Sequence, residues 1–137
     1  MIPFIDLKAQ QARIRPALDK RFSDILNHGA YIMGPEVTEI ETVLSDYCGS
    51  KNTLSCSNGT DALILALMVK GIQAGDVVIV PAYTFVATAE AVAVLGAIPF
   101  FVDVDPHTFN MCPQSLDEGI RAARAQNLPL RGIITGG

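Results

Sequence analysis

An α/β fold built on a mainly parallel sheet is predicted for this chain by three observations. From about residue 52 onward, short β-type runs alternate with apolar runs of helical length. One run, Val77-Val78-Ile79-Val80, is continuously apolar and β-branched, the mark of a strand covered on both faces. Gly49, Gly71 and Gly96 stand just past helical runs, where a helix hands over to the next element. Such alternation implies right-handed crossovers and helices on both faces of the sheet.

Residues 1–50 read as two helices and a loop. Ile14, Leu18, Phe22 and Ile25 recur at steps of four and three, one face of a helix that ends near Asn27 with Gly29 as its stop. Pro16 suits the first turn of that helix, or marks a kink if the helix begins near Lys8. Gly29-Ala30-Tyr31-Ile32-Met33-Gly34 is a loop. Pro35 opens the second helix, with Glu36 in its first turn, where a carboxylate suits the helix dipole. Val37, Ile40, Leu44 and Tyr47 form its expected buried face, and Gly49 ends it.

Residues 51–137 carry the alternation. Strands are expected at Asn52–Cys56, Val77–Val80, Phe100–Val104 and Leu130–Thr135. Helices are expected at Ala62–Lys70, Thr84–Leu95 and Pro113 to about Ala125. The pattern stops at Gly136-Gly137 without the helix that normally follows a parallel strand, so the chain reads as part of a domain.

A length of 137 residues suits one core, and a 50% hydrophobic content excludes disorder. Mean hydropathy of +0.34 is high for a small soluble domain and implies surface covered in a larger protein or an oligomer. A net charge of −4, with ten scattered Lys and Arg, gives no case for nucleic acid. Cys48, Cys56 and Cys112 show no metal or redox spacing and read as small buried thiols in a reducing compartment. Met1-Ile2-Pro3-Phe4-Ile5-Asp6 lacks the features of a signal peptide, and no apolar run has membrane-spanning length, so a cytoplasmic location with no membrane partner is expected.

In open α/β sheets ligands bind at the carboxyl ends of the strands, and three candidates lie there. Ser57-Asn58-Gly59-Thr60-Asp61-Ala62 follows a β-type run and opens a helix. Its glycine lets an anion approach the backbone, the first helical N–H groups have no internal partner, and a threonine hydroxyl adds a donor. The same residue types also make a plain helix N-cap. Pro81-Ala82-Tyr83-Thr84-Phe85 follows the buried run, and Phe85 either stacks on a flat ring or packs in the core. Asp103 and Asp105 share one side of a strand, where they bind a metal or act as acid and base, or where Asp103 meets backbone or a polar ligand group and Asp105 caps the turn at Pro106. His28 and His107 read as surface histidines, and Tyr31 either touches a ligand or fills a gap. Neither a dinucleotide fingerprint nor a Walker A motif is present, which leaves a different kind of phosphate site.

Five segments, in order and spacing, resemble the nucleotide-sugar aminotransferases of the DegT/DnrJ/StrS family. They are Phe4–Leu7, Gly29–Val37, Ser57–Leu63, Pro81–Glu90 and Gly96–Asp105, and the likeness runs to about Thr135. Within the family the nearest look is to bacterial enzymes that aminate a UDP-linked 3-keto-2-acetamido sugar acid for the O-antigen of lipopolysaccharide. The resemblance implies the N-terminal part of an aspartate-aminotransferase-like large domain (pyridoxal-phosphate fold type I), truncated here. Residues 1–50 would hold N-terminal helices and a substrate loop, and residues 51–137 would hold βα units with a cofactor-phosphate loop. It assigns Gly59, Thr60 and Asp61 to the phosphate of pyridoxal 5′-phosphate, through backbone N–H groups and the Thr60 hydroxyl. It assigns Phe85 to stacking on the pyridine ring, and Gly29 and Tyr31 to the nucleotide-sugar substrate, often across a homodimer interface. Glutamate is the implied amino donor.

Pyridoxal chemistry also requires a Schiff-base lysine and a carboxylate beside the pyridine nitrogen. In the family both lie beyond the position of Gly137, and Lys8, Lys20, Lys51 and Lys70 match no catalytic position. The expectation is therefore a truncated or frameshifted product, or an expressed fragment, with half a cofactor cradle and no catalytic residue of its own. A non-catalytic module for phosphate binding or subunit assembly is the alternative.

Overall fold

The computed structural model describes residues 4–135, so the Gly136-Gly137 terminus and the first three residues lie outside the described residues. The chain forms two compact units, residues 1–55 and 56–137.

The first unit holds α1 (Leu7–His28) and α2 (Pro35–Cys48). The Asp6 side chain caps α1 by accepting from the Ala9 N–H at 3.0 Å. The helix therefore starts at Leu7, and Pro16 lies inside it. Gly29 ends it in the left-handed region, φ 67°, with its N–H on the Ile25 carbonyl. Pro35 opens α2 with Glu36 in the first turn, and Gly49 closes it at φ 65°. The two apolar stripes are correctly periodic but are not buried: Ile14, Leu18, Phe22, Ile40, Leu44 and Tyr47 are all exposed. An amphipathic pattern specifies which face will be covered, not what covers it, and neither helix holds a buried residue.

Asn52–Cys56 is not a strand. A strand exists only where a neighbour completes its ladder. Here the Ser55 N–H donates instead to the Glu41 carboxylate at 2.8 Å, and Thr53 is held by the Ser45 hydroxyl at 2.8 Å.

The second unit runs α3 (Gly59–Val69), β1 (Val77–Pro81), α4 (Ala87–Val94), β2 (Ile98–Val102), α5 (Pro113–Ala125) and β3 (Leu130–Ile133). The three strands are parallel in the order β2-β1-β3. β1 is central and every residue of it is buried, as its unbroken apolar run requires. Register places Ile79 beside Phe100 and Pro81 beside Val102, so these four side chains share one face. Gly119 of α5 lies against Phe100 and Val102, which puts α5 on that face. Val78 and Val80 point the other way and pack with Leu67 of α3, Ala91 and Val92 of α4, and Ile72 and Ala97 of the connections. The sheet is thus covered on both faces.

Element ends differ from the expected ones for local reasons. α3 begins three residues early because Asn58 caps it. α4 begins at Ala87, because the Thr88 N–H bonds the Phe85 carbonyl and the Thr84 and Thr88 hydroxyls pair at 3.2 Å, which holds Thr84 and Phe85 outside the helix. β2 starts at Ile98 and stops at Val102, since the Asp103 N–H turns to the Ser115 hydroxyl at 2.8 Å. β3 stops at Ile133, although the Ile134 N–H still bonds the Ile79 carbonyl. Cys48 and Cys56 are exposed and Cys112 is half-buried, so the expectation of buried thiols fails. Among the described residues no helix is long and apolar enough to cross a membrane.

Candidate functional site

In the second unit α3 leads directly into β1 and α4 leads directly out of it. Both helices therefore run antiparallel to the strands, and their N-termini lie at the carboxyl edge of the sheet. The connection Ala82–Val86 and the Asp103 turn lie at that edge too.

The N-terminus of α3 is built by three side chains. The Asn58 Oδ1 accepts from the Asp61 N–H at 2.9 Å, and its backbone carbonyl accepts from the Ala62 N–H at 3.1 Å. The Asn58 amide donates to Asp61 Oδ2 at 3.1 Å, and the Ser57 hydroxyl donates to the same oxygen. The Ala62 bond is the first rung of the helix, and the Asn58 side chain satisfies one of the four orphan donors, the Asp61 N–H. Among the described residues the Gly59 and Thr60 N–H groups have no acceptor. A Cβ at Gly59 would meet nothing within 4 Å, so the space in front of these two donors is open. Two adjacent free N–H groups, the positive end of a helix and an open approach form an anion cradle. The residues present fit a phosphate group.

The cap reading of this segment is realised by Asn58, and it leaves two N–H groups open. Asn58 is the cap, whereas Gly59 and Thr60 are the open donors. Asp61 does not offer its N–H, which Asn58 has taken, and its carboxylate frames the loop instead. The N-cap expectation for this segment left open which of Ser57, Asn58 and Asp61 caps; the structure gives the cap to Asn58, while Ser57 steadies the Asp61 carboxylate.

Phe85 is 76% exposed at the same edge, which rules out core packing within this chain and leaves its face free for a flat ring. Next to it, Tyr83 and Phe109 approach with centroids 5.7 Å apart and line a cleft of about 270 Å³ with Pro81, Thr84 and Asn110. Asp105 is the turn cap: its Oδ1 accepts from the His107 and Thr108 N–H groups at 2.9 and 2.8 Å, which hold the carboxyl below its usual value, Thr108 most strongly. Asp103 accepts from the Val104 N–H at 2.8 Å, so both carboxylates are committed to backbone.

Gly29 and Tyr31 lie in the first unit. Gly29 is the left-handed cap of α1, and Tyr31 is exposed in the following loop. The Ala30 N–H donates to His28 Nδ1, and His28 Nε2 meets Glu36 Oε1, each at 3.0 Å. That contact, and then the backbone N–H of Glu36 itself, hold the Glu36 carboxyl below the usual glutamate value.

Residues 12–134 match the DegT/DnrJ/EryC1/StrS aminotransferase family. The chain is 52% identical over 130 residues to a UDP-2-acetamido-2-deoxy-3-oxo-D-glucuronate aminotransferase of Pseudomonas aeruginosa, covering 95% of this chain and 36% of that protein. The crystal structure of a DegT DnrJ EryC1 StrS aminotransferase from Brucella abortus superposes with a TM-score of 0.94 at 46% identity, over 98% of this chain and 36% of the other. Bacillus subtilis NtdA, solved with its cofactor PMP bound, matches with a TM-score of 0.78 at 32% identity, over 86% of this chain and 27% of that one. The chain thus spans about a third of the length of the curated relatives it matches. Enzymes of this family depend on pyridoxal phosphate, and the likeness to solved members establishes the aminotransferase fold. The chain belongs to the DegT/DnrJ/EryC1/StrS aminotransferase family.

Proposed function

We propose that this chain supplies the phosphate cradle and a ring-stacking aromatic of a pyridoxal-phosphate enzyme that transfers an amino group, from glutamate, to a keto-sugar nucleotide. The P. aeruginosa relative favours a UDP-linked 3-keto-2-acetamido sugar acid as substrate, and the family resemblance extends the reading to an O-antigen amino sugar as product. The observation that carries the reading is the pair of unpartnered N–H groups at Gly59 and Thr60, facing open space at the carboxyl edge of the sheet. When bound, the cofactor supplies an electron sink for the carbon that loses its proton.

The chain's own residues bind and orient. Gly59 and Thr60 donate their N–H groups to the phosphate, and the Thr60 hydroxyl adds a third donor. Asn58 and Ser57 hold Asp61 so that its carboxylate stays clear of the anion. Phe85 covers one face of the pyridine ring and excludes water from it. Gly29 and Tyr31 contact the nucleotide sugar. The exposed apolar stripes of α1 and α2 support a homodimer of the whole enzyme.

No described lysine is proposed as the Schiff-base residue. Lys70 sits at the far end of α3, about 16 Å of helix away from the cradle, and Lys20 is paired with Asp24. This chain incubated with pyridoxal phosphate and reduced with borohydride is expected to yield no unique lysine adduct. A stoichiometric adduct at one lysine, accompanied by amino transfer, would overturn that part of the reading.

A further inference from the structure

The loop Gly29–Gly34 carries a fastening that the reading above does not use. His28 is the last residue of α1, and Glu36 stands in the first turn of α2. Between them the imidazole makes two contacts of opposite kind. At Nδ1 it accepts the Ala30 N–H, 3.0 Å. A nitrogen that accepts carries no proton, so the other nitrogen must carry it. Nε2–H therefore donates to Glu36 Oε1, also at 3.0 Å. The neutral Nε2–H tautomer satisfies both partners at once.

The rest of the loop depends on this placement of Ala30. The Ala30 carbonyl oxygen lies where a Cβ of residue 34 would come within 2.2 Å of it, so Gly34, which is buried, closes tightly over that peptide. Ala30 is held by the imidazole on its N–H side and by Gly34 on its carbonyl side. Tyr31, Ile32 and Met33 project from the closed loop, all exposed, with Met33 at φ 50°. The charged groups that face the ring are Asp24 of α1 and Glu36 of α2, and Arg21, paired to Glu39 at 2.8 Å, faces both of those carboxylates.

We propose that His28 is a positioning residue whose neutral ring clasps the Tyr31 loop to the start of α2, and that protonation at Nδ1 releases the Ala30 end of the clasp while the Glu36 end persists. A second N–H on the ring cannot accept from Ala30, so two donors then face each other. The charged ring still pairs with Glu36, so the loop opens at one side only. For an enzyme in which Tyr31 touches the nucleotide sugar, acid would loosen the substrate loop without unfolding either helix. That consequence rests on the substrate reading above; the clasp itself does not.

Amide hydrogen exchange by NMR on the full chain tests the clasp, with the Gly29 N–H, bonded to Ile25, as internal control. As the pH is lowered until the ring ¹⁵N shifts report the doubly protonated imidazole, Ala30 protection is expected to fall about tenfold while Gly29 protection holds. His28→Ala should lose Ala30 protection at both ends of that titration. His28→Asn places an amide oxygen near the Nδ1 position and should keep it, without the pH dependence. Ring ¹⁵N shifts should report the Nε2–H tautomer at the higher pH. Ala30 protection that is flat with pH in the wild type, or that His28→Ala leaves unchanged, would overturn the proposal, as would the Nδ1–H tautomer. Titration with a UDP-sugar separates the two readings. No binding with the Ala30 pattern intact removes the substrate reading and leaves the clasp, whereas binding without that pattern does the reverse.

Discussion

Gly59→Ala separates the cradle from the fold. In a helix the Cα–Cβ bond tilts toward the N-terminus, so the new methyl projects into the space where the phosphate would sit. Nothing lies within 4 Å of that Cβ, so the folded chain accommodates it without strain. Glycine in a helix interior costs about 0.5–1 kcal/mol relative to alanine; at the first helical position the substitution is expected to leave stability unchanged or raise it by up to about 1 kcal/mol. Binding moves the other way. A hydrogen bond to a charged group contributes about 1.5–3 kcal/mol. Displacing the phosphate from one of the two free N–H groups should therefore weaken affinity on the order of ten- to a hundredfold. Paired thermal melts and calorimetric titrations with pyridoxal phosphate measure both quantities on the same samples. Equal affinity for the two proteins, with stability as expected, would refute the assignment of Gly59 and Thr60 as phosphate donors.

Three further substitutions probe the surrounding structure. Asn58→Ala removes the cap on α3 and should lower the stability of the second unit by about 1 kcal/mol, measured by urea unfolding. The same variant frees the Asp61 N–H, so phosphate affinity should fall less than in Gly59→Ala. Gly119→Ala sets two effects against each other: a Cβ there comes within 2.6 Å of Val102 Cγ1. Overpacking of about 1–3 kcal/mol outweighs a helix-propensity gain of about 1 kcal/mol, and pairing it with Val102→Ala should restore part of the loss. Glu41 is held below its usual value, chiefly by the Ser55 N–H and then by the Ser55 hydroxyl. Its contribution is therefore present above the unfolded glutamate value, about 4.3, and is lost as pH falls through the lower folded value. Glu41→Gln should flatten that part of the acid-unfolding curve, and an unchanged curve would contradict it.

The second unit was legible in its sequence because its strongest signals are local and self-sufficient. Val77–Val80 is apolar at every position, so it reads as a central strand without knowledge of its neighbours, and β1 is fully buried. α5 matched to the residue because Pro113 opens it and its amphipathic pattern is pronounced. Asn52–Cys56 misread for the opposite reason. Its residues favour a strand, but a strand is a property of a pair, and Glu41 captures the Ser55 N–H from fourteen residues away. The stripes of α1 and α2 were identified correctly as stripes and wrongly as buried, since burial depends on a surface that periodicity does not name.

The site divides along the same line. Ser57–Ala62 announced a helix N-terminus with anion-binding composition, and Phe85 announced an aromatic at the carboxyl edge. Composition left open which N–H groups remain free, because that depends on where the Asn58 side chain turns. Once Asn58 takes the Asp61 N–H, the three expected backbone donors reduce to Gly59 and Thr60. The His28 clasp left no sequence signal, since the eight-residue spacing from His28 to Glu36 acquires meaning only when the loop folds back.

Amide shift mapping of the ¹⁵N-labelled chain with pyridoxal phosphate tests the central claim most directly, with pyridoxal lacking the phosphate as the comparison. The Gly59 and Thr60 amides are predicted to move furthest with the phosphorylated compound and to stay in place without the phosphate, while Phe85 ring protons respond to both. Shifts centred away from the start of α3, with Gly59 and Thr60 unmoved, would contradict the assignment of this helix as the cofactor-phosphate cradle.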